Sequence, residues 1–336
     1  TLDRSSAASD VYKRQPYGKE GLQALSGAAC ATFLPQAFLS YAIGGIFHIK
    51  FLQEIGDLAG SLGGIAVGIL ACINLGVSPV FSVIVGLVLK DFSLLPAFIA
   101  AYLTAFVIKF IEKKVPEGLD LIVVIFIAPA LVYGLASLIN PSVTAVLNQI
   151  AKAVNSVGDS SPYALAIILG LIIPVTSMTP LSSMVLASIL GLTGLPMAIG
   201  AIVCTGASFV NFTLFNILKI GDKPNRFAVF IEPLTQIDLI VKYAPVLYGT
   251  NAIIGMVNAC IIAFSGLKIG VTGMATPMAG AIVLFGFNSP IKSIITIAAV
   301  AVTGLILASI IGSLIKKFDL LHLHIPMPWN KGKSQS

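Results

Sequence analysis

Long runs without a charged side chain are the feature that most limits how this sequence can fold. Residues 160–218 contain no Asp, Glu, Lys or Arg, and further uncharged runs cover residues 58–89, 121–151, 243–267, 269–291 and 293–315. A helix that crosses a membrane needs about 20 predominantly apolar residues. Because the runs are long and apolar on all sides, we predict an all-α fold, a polytopic membrane helix bundle of about 8–10 spans.

The composition supports a membrane protein over a soluble domain. Of the 336 residues, 57% are hydrophobic and only 10% are charged, and the mean hydropathy is +0.99. The net charge of +6 comes largely from lysines at the edges of the apolar runs, a pattern typical of membrane anchoring and not of nucleic-acid binding. Basic residues at 13–14 and 331–333 place both predicted termini in the cytoplasm.

The chain divides into one membrane domain with a tail at each end. Residues 1–15 share no pattern with the rest of the chain and resemble a cloning remnant, so residues 1–20 are predicted to be a non-native or disordered tail. Residues 21–318 form the predicted transmembrane domain, and residues 319–336 form a cytoplasmic C-terminal tail.

Two polar segments with a proline interrupt the apolar sequence. The first break, residues 176–183, reads TSMTPLSS, and the second break, residues 271–280, reads VTGMATPMAG. Irregular backbone at membrane depth is tolerated where it lines a cavity, and paired broken segments are a pointer to a binding site near the membrane midplane. The alternative for the first break is an ordinary proline kink whose free backbone groups are satisfied by Ser and Thr.

Between these two breaks, a loop with basic residues is followed by an acidic side chain, that of Glu232. Glu232 lies in residues 227–248, together with Asp238 and Lys242, in a chain that is otherwise nearly free of charge. Ionisable groups within membrane proteins tend to face a hydrated interior and to mark a substrate path. We therefore predict that Glu232 faces the same cavity as the two breaks. The alternative is a helix-surface role, as a partner of Gln236 or as a carboxylate at a helix start.

Neutral donors and acceptors complete the predicted substrate site, because a sugar is bound by many such groups and little charge. The candidates are Ser177, Thr179, Ser182, Ser183, Asn211, Gln236, Asn251, Thr276 and His48. His48 is alternatively an interfacial group beside Lys50. Neither a metal site nor a cofactor is predicted, since the four cysteines lie far apart in apolar sequence without a CxxC pair.

Four motifs in order give a resemblance to a known family. They are VPEGLDL at residues 115–121, SMTPLSS at 177–183, FIEPL at 230–234 and ATPMAG at 275–280. In this order they resemble enzyme IIC, the membrane subunit of the bacterial phosphoenolpyruvate-dependent sugar phosphotransferase system, in its fructose/mannitol type. The sequence departs from that pattern in two places: the glutamate motif lacks its Thr and Gly, and the late break lacks its histidine.

This resemblance implies a function as well as a fold. The bundle is expected to lie in the bacterial inner membrane, to form a homodimer surrounded by lipid, and to bind a sugar or polyol, with no role for nucleic acid. Glu232 would be the catalytic residue, taking up the proton as the sugar hydroxyl attacks a phosphocysteine on a separate IIB protein that is charged by IIA. The chain would then be the membrane component of a protein-phosphohistidine/phosphocysteine–sugar phosphotransferase.

Two alternatives to this function remain open. The sequence contains no IIA histidine domain and no IIB phosphocysteine loop, and it looks closest to stand-alone IIC-like proteins that include the regulators of perfringolysin O. A membrane sensor or regulator without phosphoryl transfer is therefore one alternative. An ion- or proton-coupled carrier is the other.

Overall fold

The computed structural model describes residues 18–318, and the regular secondary structure of this part of the chain is helical except for one isolated β-bridge. The predicted all-α bundle is confirmed. The predicted N-terminal tail lies outside the described residues apart from residues 18–20, which form the first turn of α1. The predicted C-terminal tail, residues 319–336, lies outside them entirely.

The described chain divides into two compact units, formed by residues 18–40 with 50–149 and by residues 41–49 with 150–318. In the first unit, α1 packs against α2 and α3, and α3 packs against α4 and α5. The helices up to the end of α6, which continues into the second unit, are α1 (Gly18–Pro35, extended by a π-helix at Gln36–Gly44), α2 (Lys50–Ser61), α3 (Gly63–Asn74), α4 (Pro79–Leu87), α5 (Leu94–Lys114) and α6 (Leu119–Ser160).

The second unit is arranged around a buried central helix, α9. This helix packs against α7, α10, α12, α13 and α14. The helices of this unit are α7 (Pro162–Thr176), α8 (Ser183–Ile189), α9 (Gly194–Ile217), α10 (Lys223–Ile231), α11 (Ile237–Lys242), α12 (Ala244–Ser265), α13 (Pro277–Val283) and α14 (Pro290–Lys317), with 3₁₀ turns at Pro233–Gln236 and Leu284–Gly286.

Six helices in the described chain are long and apolar enough to cross a membrane, and a seventh crossing results if α2 and α3, which meet at a bend of 49°, count as one. Two shorter apolar segments, Pro162–Thr176 and Pro277–Gly286, accompany them. The lower end of the predicted 8–10 spans is therefore reached only if these shorter helices also contribute to crossings. They flank the first and second breaks.

The helix α6 continues through two prolines. It runs unbroken from Leu119 to Ser160 and contains Pro129 and Pro141. A proline removes one backbone hydrogen bond, and membrane helices tolerate that loss. At 1.5 Å per residue the helix is roughly 63 Å long, about twice the hydrocarbon thickness of a bilayer.

A break between α3 and α4 in the first unit is held by two charged side chains of α5. Lys109 Nζ donates to the carbonyl of Leu75 at the end of α3 (2.8 Å). Glu112 Oε1 accepts from the backbone N–H of Ser78 at the start of α4 (3.0 Å). A cation at a helix C-terminus and an anion at an N-terminus both complement the helix dipole. These charges of α5 therefore stabilise the broken backbone at residues 74–79.

Close backbone contact holds the second unit together. Gly170 of α7 and Gly255 of α12 lie against each other, and a Cβ on either would overlap the carbonyl oxygen of the other. In α14 the buried residues recur every four positions, at Val300, Gly304 and Ala308, whereas Val302, Leu305 and Ile306 between them are exposed. Small residues at helix contacts and apolar residues outside are the arrangement expected in lipid.

Candidate functional site

The hydroxyl groups of the first break largely satisfy its own backbone. Thr176, Ser177 and Thr179 each donate to the carbonyl three residues earlier, at 2.9, 2.7 and 3.0 Å. The carbonyls of Ile173 and Thr176 also accept a backbone N–H, from Ser177 and Thr179 (both 3.0 Å), so the hydroxyls add to the backbone bonds where α7 ends. For these three side chains the structure matches the alternative of a proline break patched by Ser and Thr.

Ser182 ends the first break in an unusual conformation. Its backbone has φ 60° and ψ 134°, outside the regions that non-glycine residues commonly occupy. Its Oγ accepts from the N–H of Met184 at 3.3 Å and so caps the start of α8. The side chain is buried, with 2% of its surface exposed.

The two breaks meet at Ser183. Its hydroxyl donates to the carbonyl of Ala275 in the second break (2.5 Å), and the thiol of Cys204 on α9 donates to the same hydroxyl (3.5 Å). The next residue of α9 is Thr205, whose Oγ1 donates to the carbonyl of Pro277 (2.7 Å). The predicted approach of the two breaks is thus present in the structure, with α9 as the element between them.

Further contacts fix this arrangement at both ends. Thr272 Oγ1 in the second break donates to the carbonyl of Ala187 in α8 (3.1 Å). Gly194, at the start of α9, exchanges two backbone hydrogen bonds with Ile269, with N–O distances of 2.7 and 3.0 Å. These hydrogen bonds therefore tie α8 and the start of α9 to the residues that precede α13.

Glu232 lies where α10 gives way to a 3₁₀ turn. It is partly buried, and its Oε1 accepts from the N–H of Leu234 at 3.4 Å. Burial raises the pKa of the Glu232 carboxyl above its ordinary value, while the Leu234 N–H acts in the opposite direction. Among the described residues, no hydrogen bond joins the Glu232 carboxylate to either break.

The contacts of Gln236 bear on the alternative for Glu232. Gln236 Oε1 accepts from Asn225 Nδ2 (2.7 Å), and its Nε2 donates to Thr235 (3.3 Å). No hydrogen bond among the described residues joins Gln236 to the Glu232 carboxylate. The position of Glu232 at a 3₁₀ N-terminus does agree with the second form of the alternative, a carboxylate at a helix start.

Asn211 and Asn251 form a buried pair between α9 and α12. Asn251 Nδ2 donates to Asn211 Oδ1 (2.7 Å) and to the carbonyl of Leu247 (2.9 Å). Both side chains are almost wholly buried, at 0% and 1% exposure. Tyr248, on the same helix as Asn251, donates its hydroxyl to the carbonyl of Met178 in the first break (3.4 Å). The pair thus lies on helices that both contact the breaks.

Two other predicted residues differ in their surroundings. Thr276 is buried at the N-cap position of α13, but its side chain does not cap the helix. His48 lies on an exposed turn with φ 54°, and no hydrogen bond found within residues 18–318 connects it to either break. Hydrogen bonds therefore join Ser183 to the second break and Asn211 to Asn251, whereas within residues 18–318 none joins Glu232 or His48 to either break.

Sequence reasoning missed Cys204, Thr205, Thr272 and Tyr248, whose polar atoms contact the breaks or α8. The spacing of Thr205, Ser208 and Asn211, each three residues apart on α9, is a signal that could have added Thr205 to the predicted residues. Nothing local marks Tyr248, whose partner is distant in sequence. Within the described residues, no group of three His, Cys, Asp or Glu side chains could hold a metal ion.

The comparison with known families covers nearly the whole chain. A family model described as Phosphotransferase system, EIIC matches residues 19–325. The chain belongs to this EIIC family. A search of curated proteins found no match.

Membership in the EIIC family indicates the function of the multi-pass bundle. EIIC proteins are the membrane permease components of the sugar phosphotransferase system, so this chain is a sugar-transport protein of the membrane. The family also implies a sugar substrate and cytoplasmic IIA and IIB partners. The matched range contains both breaks, Glu232 and the asparagine pair.

Proposed function

We propose that this EIIC protein binds a sugar or polyol of the fructose/mannitol type beside the two breaks and presents it to a separate phospho-IIB protein. The observation that carries the proposal is the junction at Ser183, where the first break, the second break and α9 share one hydrogen-bonded point. Family membership makes a sugar the expected ligand of such a junction.

Glu232 is the catalytic residue in this proposal. A substrate hydroxyl donates a hydrogen bond to the carboxylate and then attacks the phosphorus atom of the phosphocysteine on IIB. The new O–P bond forms as the S–P bond breaks, the cysteine leaves as thiolate, and Glu232 takes the hydroxyl proton. Burial, which raises the pKa of Glu232, makes the carboxylate a better proton acceptor than an exposed glutamate.

The other predicted groups orient the ligand. The Asn211–Asn251 pair offers neutral donors and acceptors, and Ser182, Ser183 and Thr276 present buried hydroxyls at the edges of the breaks. Ser177 and Thr179 retain acceptor capacity, since each hydroxyl oxygen has two lone pairs. The protein is proposed to act as a homodimer in the bacterial inner membrane, with both termini in the cytoplasm.

The test uses inverted membrane vesicles that contain the protein, supplied with phospho-IIB and labelled fructose or mannitol. We expect phosphorylated product only when IIB is present, and none with Glu232→Gln. Asp238→Asn is the matched control, because it makes the same carboxylate-to-amide change at an exposed position on the next helix. Equal product from both variants would remove Glu232 from the site.

The pH dependence provides a second readout. The acceptor is lost as the pH falls through the raised pKa of Glu232, so wild-type activity should decline there. Because a raised carboxyl pKa means that the fold disfavours the charged form, Glu232→Gln should leave the free energy of unfolding at neutral pH undiminished. Ligand binding without flux would favour a sensor, and flux that follows an imposed ion gradient and ignores phospho-IIB would favour an ion-coupled carrier.

A further inference from the structure

A set of buried polar atoms without partners lies between α9 and α12. Among the described residues, no hydrogen-bond partner exists for Ser208 Oγ, Asn211 Nδ2, Asn251 Oδ1 or Asn258 Oδ1. Each of these four side chains is at most 1% exposed. Leaving a buried polar atom unpaired costs about 1–3 kcal/mol, so four on facing helices call for a common explanation.

Ser208, Asn211, Asn251 and Asn258 lie along the contact between α9 and α12, and we call this set the α9–α12 seam. Ser208 and Asn211 are three residues apart on α9, and Asn251 and Asn258 are seven apart on α12, so each pair lies on one helix face. Asn251 contacts Asn211 directly. Asn258 lies against α9 near Gly206, where a Cβ would come within 2.6 Å of Asn258 Nδ2. Two levels of contact, separated by roughly 7–10 Å along the helices, are therefore lined by polar atoms.

The hydrogen-bond donors and acceptors of the seam determine which kind of ligand it can bind. Asn211 Nδ2 is a donor, Asn251 Oδ1 and Asn258 Oδ1 are acceptors, and Ser208 Oγ can act as either. None of these groups is charged. A hydroxyl group, which both donates and accepts, complements this set, whereas an ion would find no opposite charge among the four residues.

We propose that this α9–α12 seam is a binding track for neutral hydroxyl groups, occupied by water along its length and by the hydroxyls of the transported sugar near Asn211 and Asn251. Ser208 and Asn258 extend the track beyond the pair toward the level where Thr205 contacts the second break. The sugar-binding part rests on the proposed function, whereas the hydration part stands without it.

Cysteine accessibility tests the hydration. In a background with the four native cysteines replaced by alanine, Ser208→Cys and Asn258→Cys are exposed to methanethiosulfonate ethylammonium in membranes, and modification is followed by intact-protein mass. Ile202→Cys and Ile262→Cys are the matched controls, since both isoleucines are fully buried on the same two helices. We expect modification at least tenfold faster at the polar positions. Rates equal to those of the controls would overturn the proposal.

A second variant covers the case in which a cysteine variant fails to insert. Asn258→Leu has similar volume and removes the polar atom. If the seam is hydrated, the unfolding equilibrium constant of Asn258→Leu should equal or exceed that of the wild-type protein, because the substitution removes a side chain that is hydrogen-bonded to water. A fall of tenfold or more would mean that Asn258 had been dry and unpaired, and would overturn the proposal.

Protection by ligand distinguishes the two sources of hydroxyl groups. Fructose or mannitol at 0.1 M, as the added probe, should slow modification of Asn251→Cys at least threefold while leaving Ile262→Cys unchanged. Modification without protection would refute the sugar-binding part alone. Because labelling requires no transport, it should persist in Glu232→Gln, which separates failure of the seam from failure of the proposed function.

Discussion

Removing the hydroxyl of Ser183 should loosen the junction of the two breaks. The hydroxyl donates to the Ala275 carbonyl, and both residues are buried, at 3% and 0% exposure. In Ser183→Ala that carbonyl loses its donor away from bulk water, at a cost of about 1–3 kcal/mol. This corresponds to a change of roughly 5- to 150-fold in the unfolding equilibrium constant. The bond from Thr205 to Pro277 remains, so the protein should still fold.

The measurement is unfolding of the purified protein by sodium dodecyl sulfate, followed by circular dichroism. Ser309→Ala is the matched control, because the exposed Ser309 hydroxyl donates only to Leu305 within its own helix (2.7 Å). We expect the control to change the free energy of unfolding by less than about 0.5 kcal/mol. If Ser183→Ala changes the free energy of unfolding no more than Ser309→Ala does, the Ser183 hydroxyl does not hold the junction and the reasoning is refuted.

A double-mutant cycle sharpens the test. Ser183 and Thr205 both donate to the short segment from Ala275 to Pro277, so their contributions should not be independent. Combining Ser183→Ala with Thr205→Val should give a coupling free energy of about 0.5–3 kcal/mol. Strict additivity would mean that the two bonds hold separate structures.

Two further variants each probe a contact inside one of the two units. Gly255→Ala should lower the free energy of unfolding by about 1–3 kcal/mol, because the new methyl group overlaps the Gly170 carbonyl. Gly249→Ala on the same helix has open space at its Cβ and should leave the free energy of unfolding nearly unchanged. Equal effects of the two substitutions would contradict the close contact. Lys109→Met should cost about 1.5–3 kcal/mol in the same assay, since the Leu75 carbonyl loses a charged donor, and an unchanged stability would show that solvent supplies the bond.

The helical architecture was largely readable from the sequence. Uncharged runs predicted helices at the observed places, and α5 and α14 end close to the predicted lysines. Lipid cannot satisfy free backbone groups, so a long apolar run has few options other than a helix. The extent of α6 was not readable, because a proline that ends helices in water is tolerated at Pro141.

The site was predictable in its segments but not in its contacts. Prolines and hydroxyls marked both breaks. The partner of Ser183, however, lies 92 residues away in sequence, and the partner of Asn251 lies 40 residues away. Such pairings depend on how α9 packs against its neighbours, which periodicity does not encode. For the same reason, nothing in the sequence indicated that the hydroxyls of Ser177 and Thr179 would bond to their own helix.

The backbone of Ser182 has a consequence for how the first break can move. A non-glycine residue in so sparsely populated a conformation carries about 1–3 kcal/mol of strain, which surrounding interactions must offset. Any rearrangement that lets Ser182 return to an ordinary conformation recovers that energy. The strain at Ser182 therefore lowers, by about that amount, the cost of any rearrangement of the first break in which this residue relaxes.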